Sequence, residues 1–151
     1  MMFKTHLAAG ILTAIALTKY IPSKSSIAFL AAVIIGSVAP DIDCPKSRVG
    51  KKLKIISWML NFLFKHRGFM HTIYPAAIIF LTFTFLDHKS IGAGFLIGYT
   101  VHLIADSITQ EGIQPFLPLS KKRVKGLIKT GGLAEYGLFL LILAFTINLL
   151  L

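Results

Sequence analysis

The chain has 151 residues, 55% of them hydrophobic and 15% charged, with 16 Lys and Arg against 6 Asp and Glu for a net charge of +10; its mean hydropathy is +0.75. Soluble domains carry roughly 25% charged residues, so the composition excludes an ordinary water-soluble globule. The single cysteine, Cys44, excludes an intrachain disulfide. The basic excess lies in loops, with no nucleic-acid recognition module beside it. It therefore reads as positive-inside charge that also attracts anionic lipid headgroups.

Residues 3 to 21 form the first apolar stretch. Lys4 ahead of such a run also suits a signal peptide, but no clean small-x-small cleavage site follows. Pro22 and the serines after it supply turn and cap chemistry, and a second apolar run from 27 to 39 stops at Pro40. A polar, basic loop follows with Lys46, Arg48, Lys51, Lys52 and Lys54, then a mixed segment to Phe64 with Trp58 that reads as an interfacial amphipathic helix. Residues 69 to 86 and 91 to 108 are two further spans joined by a polar turn. A long connection from 109 to 132 carries a second basic group, and its apolar part, "IQPFLPL", is expected to dip into the interface. Residues 133 to 151 make the last span. The expected architecture is all-α: a single membrane-embedded domain of about five transmembrane or partly inserted helices plus the interfacial helix.

Both basic loops lie on the same side if the spans alternate, and the positive-inside rule makes that side cytoplasmic, together with the N-terminus. His6, Asp41, Asp43, His66, His71, His102, Asp106 and Glu135 then all fall at the cytoplasmic ends of their helices. Ionisable groups at membrane depth are costly, at about 2.5 to 3.5 kcal/mol for a mid-helix Asp, so they tend to be paired and functional. His102 and Asp106 are four apart on one helix face, close enough to share an ion or to hydrogen-bond each other. Asp41 and Asp43 follow the helix stop at Pro40, where a solvated helix end is the plainer reading. His66 and His71 flank Gly68, with Arg67 between them suited to a phosphate by its forked donors or simply to the interface. His6 and Glu135 fit equally a snorkelling His and a helix N-terminal Glu favoured by the dipole.

Taken jointly, four of the six acidic residues share one level with four of the five histidines. Without a cation such carboxylates repel one another. One or two divalent ions remove the difficulty, and mixed His/carboxylate donors suit Zn first, with Mn or Fe(II) as alternatives. Cys44 beside Asp43 reads as a reduced bystander rather than a thiolate ligand.

The order and spacing of these segments resemble the YdjM-like family of inner-membrane, metal-dependent hydrolases. They are the early His6, "PDIDCPKSRVGKKLK" at 40 to 54, "HRGFMHT" at 66 to 72, "GYTVHLIADSITQEGIQPFLP" at 98 to 118, and Glu135 after "KTGG". The resemblance covers nearly the whole chain and implies a hydrolase. It extends distantly to zinc-dependent phospholipase C, a soluble helical enzyme with an HxxxD pair that His102 and Asp106 would match. That enzyme's later HxxxE helix has no full counterpart here beyond Glu135, which weighs against three metals.

The expected function is hydrolysis of a phosphate ester of a membrane lipid, a phospholipid or polyprenyl phosphate, at the cytoplasmic face. His6, Asp43, His71, His102, Asp106 and Glu135 are the expected metal ligands, and Asp41 and His66 the acid-base groups, with Asp41 as base. Arg67, Arg48 and Lys51 would orient the phosphate, and the apolar segment 113 to 119 would admit the lipid chain. The alternative is a non-enzymatic transporter or sensor of divalent metal, against which the apolar far halves of the spans speak.

Overall fold

A computed structural model describes residues 1–18, 20, 26–45, 47–64 and 68–151. Among them the chain is all-helical: α1 (Phe3–Thr18), α2 (Ser26–Val38), α3 (Arg48–Lys52), α4 (Lys54–Phe64), α5 (Tyr74–Phe85), α6 (Lys89–Ser107) and α7 (Leu133–Leu150). Two 3₁₀ turns, Ala39–Asp43 and Phe69–His71, complete the helical elements.

Helix α6 is the centre of the bundle and packs on α2, α5 and α1, while α7 packs on α1. Glycine makes the α2/α6 crossing tight. A Cβ at Gly98 would stand 1.9 Å from the Val33 carbonyl oxygen, and one at Gly36 would stand 2.4 Å from that of Phe95. Only hydrogen at these positions lets the two backbones meet. Apolar packing is modest: Ala14, Phe29 and Val33 form one small core, and Ala76, Tyr99, Leu103 and Ile113 another.

The outer surface is the reverse of a soluble protein's. In α7 only Glu135 and Thr146 are buried, while Leu140, Leu141, Phe145 and Ile147 are exposed. A core helix of a soluble domain would hide that face; lipid is its natural cover. Among the described residues α7 is the helix long and apolar enough to cross a membrane, and α1 and α5 are apolar but shorter. The 13 residues of α2 and 12 of α5 rise only about 20 Å at ~1.5 Å each, against a hydrocarbon core of ~30 Å. Of the five longer helices α1, α2, α5, α6 and α7, α7 alone among the described residues combines spanning length with an apolar sequence, while the 19-residue α6 has the length but carries the polar groups of the site.

Two expectations about local structure change. The span expected from residue 69 begins at Tyr74, because Pro75 sits in the first turn of α5, where its missing N–H costs nothing. His71 therefore lies in a separate 3₁₀ turn rather than in the helix. The first basic loop folds into the short helix α3, capped by Ser47, whose hydroxyl accepts from Gly50 N–H at 2.9 Å. Helix α4 follows with Ile55, Trp58, Met59 and Phe62 exposed on its surface. The 109 to 132 connection is pinned by bridges Thr109–Ile128 and Ile113–Val124.

Candidate metal centre

Five elements bring their ends to one point. Helix α1 contributes His6, the turn Ala39–Asp43 contributes Asp41 and Asp43, the turn Phe69–His71 contributes His71, and α6 contributes His102 and Asp106. Glu135 comes from the first turn of α7. All except Asp41 are essentially fully buried.

Asp106 is the hub. Its Oδ1 lies 3.2 Å from His6 Nε2, and its Oδ2 lies 3.6 Å from His71 Nε2 and 3.9 Å from His102 Nε2. The amino-terminal ammonium of Met1 also donates to Oδ1. The imidazoles of His6 and His102 stack with centroids 3.8 Å apart, and His71 meets His102 edge-on at 5.3 Å. Two interlocked triads result, His6/Asp41/His102 and His71/His102/Asp106, each with one donor atom per residue and all three atoms within 4.8 Å of one another. His102 belongs to both.

Ring orientation is set from outside the cluster. His102 Nδ1 donates to the Ser37 carbonyl at 2.8 Å, which leaves the Nε2 lone pair facing the triads. His71 Nδ1 lies 3.2 Å from Asp43 Oδ2, so the Asp43 carboxylate fixes that tautomer in the same way. The turns themselves are tied down. Tyr99 donates its hydroxyl to the Met70 carbonyl, Ser47 to the Asp41 carbonyl at 2.7 Å, and the Asn61 amide to the Asp43 carbonyl at 3.0 Å.

Asp41 differs from the other carboxylates. It is partly exposed, and among the described residues its side chain makes no hydrogen bond. Burial nevertheless pushes its carboxyl above the ordinary range, while positive charge on His6 and His71 pulls it back.

The donor set fits a divalent metal on an internal observation. Both ring nitrogens of His6, and Nε2 of His102, are buried and make no hydrogen bond among the described residues. His6 Nε2 is near Asp106 but lacks the alignment of a hydrogen bond. Leaving such atoms unsatisfied costs about 1 to 3 kcal/mol each, and a metal ion accepts the lone pair of one nitrogen on each ring directly. Imidazole with carboxylate is the ligand chemistry of Zn, Mn or Fe(II).

The expected site residues thus divide. His6, Asp41, His71, His102 and Asp106 converge in the triads. Asp43 is buried against His71 and orients it. Glu135 accepts from Met2 N–H at 2.6 Å and Gly131 N–H at 2.7 Å, so both of its oxygens anchor backbone. Arg48 and Lys51 line a cavity with Phe3. His66 and Arg67 lie outside the described residues. Cys44 is a free thiol beyond both triads. The Ser37 carbonyl is a functional group that sequence reasoning missed, since no side chain announces it.

The YdjM inner membrane protein family matches residues 1–150, and the chain belongs to that family. It is 33% identical over 134 residues to the uncharacterized protein YvsG of Bacillus subtilis (strain 168), covering 87% of this chain and 83% of that one. It is also 33% identical over 94 residues to the inner membrane protein YdjM of Escherichia coli (strain K12) and to that of Shigella flexneri. Those matches cover 58% of this chain and 47% of each relative, so the chain spans about half the length of the two YdjM proteins. No solved structure matches. Family membership supports an inner-membrane location.

Proposed function

We propose that this member of the YdjM family is a membrane-embedded, metal-dependent hydrolase that cleaves a phosphate ester of a membrane lipid at the cytoplasmic face. The observation that carries the proposal is the pair of interlocked, buried triads sharing His102, placed at one end of a bundle whose outer surface is apolar. A bundle of five membrane-inserted helices with both basic loops in the cytoplasm accounts for the shared level of the ligands.

His6, His71, His102 and Asp106 would hold one or two ions, Zn first, with Asp41 beside them in the first triad. A metal held there supplies Lewis acidity and lowers the pKa of a bound water. The chain's own groups do the rest. The Ser37 carbonyl and Asp43 keep His102 and His71 in the tautomers that present Nε2. Asp41, partly exposed and without a hydrogen bond, is placed to take up a proton and pass it to solvent. Arg48 and Lys51, close to Phe3 on the amino-terminal turn of α1, supply positive charge for a phosphate.

The test is metal analysis of the purified protein together with turnover of phospholipids and polyprenyl phosphates. His102→Ala is expected to lose both metal and turnover, because His102 serves both triads. A fully metallated protein that hydrolyses none of these lipids would leave a metal transporter or sensor as the better reading.

A further inference from the structure

Among the described residues, two apolar grooves on the helical bundle offer room for a hydrocarbon chain. One, of about 260 Å³, runs beside the 113 to 119 segment and is lined by Ile73, Leu103, Ile104, Pro115 and Phe116 among others, with no cation. The other, of about 240 Å³, lies between α1 and α7 over Leu7, Ile11, Phe139 and Leu143, and ends at Lys4 and Arg48. Phe3 and Arg48 also line a second cavity, of about 440 Å³, together with Val49, Lys51 and Lys52.

The cations at this mouth are held by rings rather than by carboxylates. Lys4 Nζ stands 4.0 Å from the centre of the Tyr136 ring and 5.0 Å from that of Phe139, and the Arg48 guanidinium is 5.7 Å over Phe3. Among the described residues neither is paired with an acidic side chain. Cation–π contact positions a charge without neutralising it, so the mouth stays available to an anion. Lys4 precedes His6 by two residues, an axial rise of about 3 Å, so the two share a level on α1 while their side chains leave the helix on opposite faces, Lys4 toward α7 and His6 toward α6.

We propose that the α1/α7 groove seats one acyl chain of an anionic phospholipid, with its phosphate on Lys4, Arg48, Lys51 and Lys52. Charge complementarity selects this groove over the one beside 113 to 119, which offers an apolar wall and nothing for the headgroup. The inference rests on the lipid phosphoesterase reading for its purpose, since it holds the phosphate at the same height on α1 as His6, but the binding it asserts does not require turnover.

The experiment is photo-crosslinking of the metal-stripped full chain in nanodiscs, using phosphatidic acid or phosphatidylcholine with a diazirine in the acyl chain and mapping adducts by mass spectrometry. Adducts from phosphatidic acid are expected on Leu7, Ile11, Phe139 and Leu143, well above those from phosphatidylcholine. Lys4→Gln and Arg48→Gln should each reduce that preference by roughly fivefold, as for one cation near an anionic headgroup. Leu7→Trp, which fills the groove, should suppress the adducts. Equal labelling by both lipids, on this groove and on exposed Leu81 and Phe85 of α5 alike, means annular lipid only and overturns the proposal. So do adducts concentrated on Ile104 and Phe116. Metal-stripped protein cannot turn over in any case, so selective labelling paired with an inactive metallated enzyme would sink the hydrolase reading alone.

Discussion

His71 and Asp43 are 28 residues apart in sequence and 3.2 Å apart in space, Nδ1 to Oδ2, with both side chains fully buried. The link joins two 3₁₀ turns, and it gives Asp43 a different part from the ligand that sequence reasoning made of it. A carboxylate engaged with the far side of an imidazole fixes the ring and raises its basicity; losing such a partner typically costs ~10 to 100-fold in metal affinity. Asp43→Ala is therefore expected to weaken metal binding by that factor, and Asp43→Asn by less, since the amide oxygen still accepts from Nδ1–H. Competition against a chelator of known affinity measures both. A loss as complete as that of His102→Ala would make Asp43 a ligand after all.

What the sequence could reveal here depended on periodicity. His102 and Asp106 are visible because a helix has a fixed repeat, and four residues return a side chain to the same face. The common level of His6, Asp41, His71, His102 and Glu135 is visible too, because spans that alternate in direction return alternate ends to one side. The partnerships are not. Ala39–Asp43 and Phe69–His71 are short turns without a register that composition could fix, so which aspartate meets which histidine depends on tertiary placement. Glu135 shows the same limit. Its level was readable, but its engagement with the Met2 and Gly131 amides was not.

The placement of His102 against Ser37 depends on how closely α2 and α6 approach. Gly98 lies one turn before His102, and a methyl group there would meet the Val33 carbonyl oxygen at 1.9 Å. Gly98→Ala is expected to force the helices apart at a cost of about 1 to 3 kcal/mol, and to loosen the 2.8 Å bond between His102 Nδ1 and the Ser37 carbonyl. Thermal unfolding in detergent should show a lower midpoint, with reduced metal content alongside. An unchanged midpoint would mean that the crossing is looser than this geometry.

Topology gives a third expectation. Helix α3 and its cap carry Ser47 into the basic region beside Asp41, whereas Ser90 sits in the first turn of α6, at the end away from His102 and Asp106. With the positive-inside rule assigning the basic side to the cytoplasm, a cysteine at Ser90 should react with a membrane-impermeant maleimide added outside, in a Cys44→Ser background. One at Ser47 should not. The reverse pattern would turn the metal centre to the outer face.

Asp41 carries the sharpest prediction, because geometry leaves it two roles. It is a member of the His6/Asp41/His102 triad, yet it is the site carboxylate that is partly exposed and, among the described residues, without a side-chain hydrogen bond. Asp43 and Glu135 are already committed to His71 and to backbone amides, and Asp106 is surrounded by three imidazoles. In the proposed hydrolysis, proton uptake would therefore fall to Asp41. Asp41→Asn keeps the size and one oxygen acceptor but cannot take the proton. Turnover of a phospholipid or polyprenyl phosphate should fall by roughly 100 to 10,000-fold, while bound metal, held by His6, His71, His102 and Asp106, should fall far less. Measuring both on the same preparation separates the roles: a parallel loss of metal and turnover would make Asp41 a ligand, and full turnover would remove it from the chemistry.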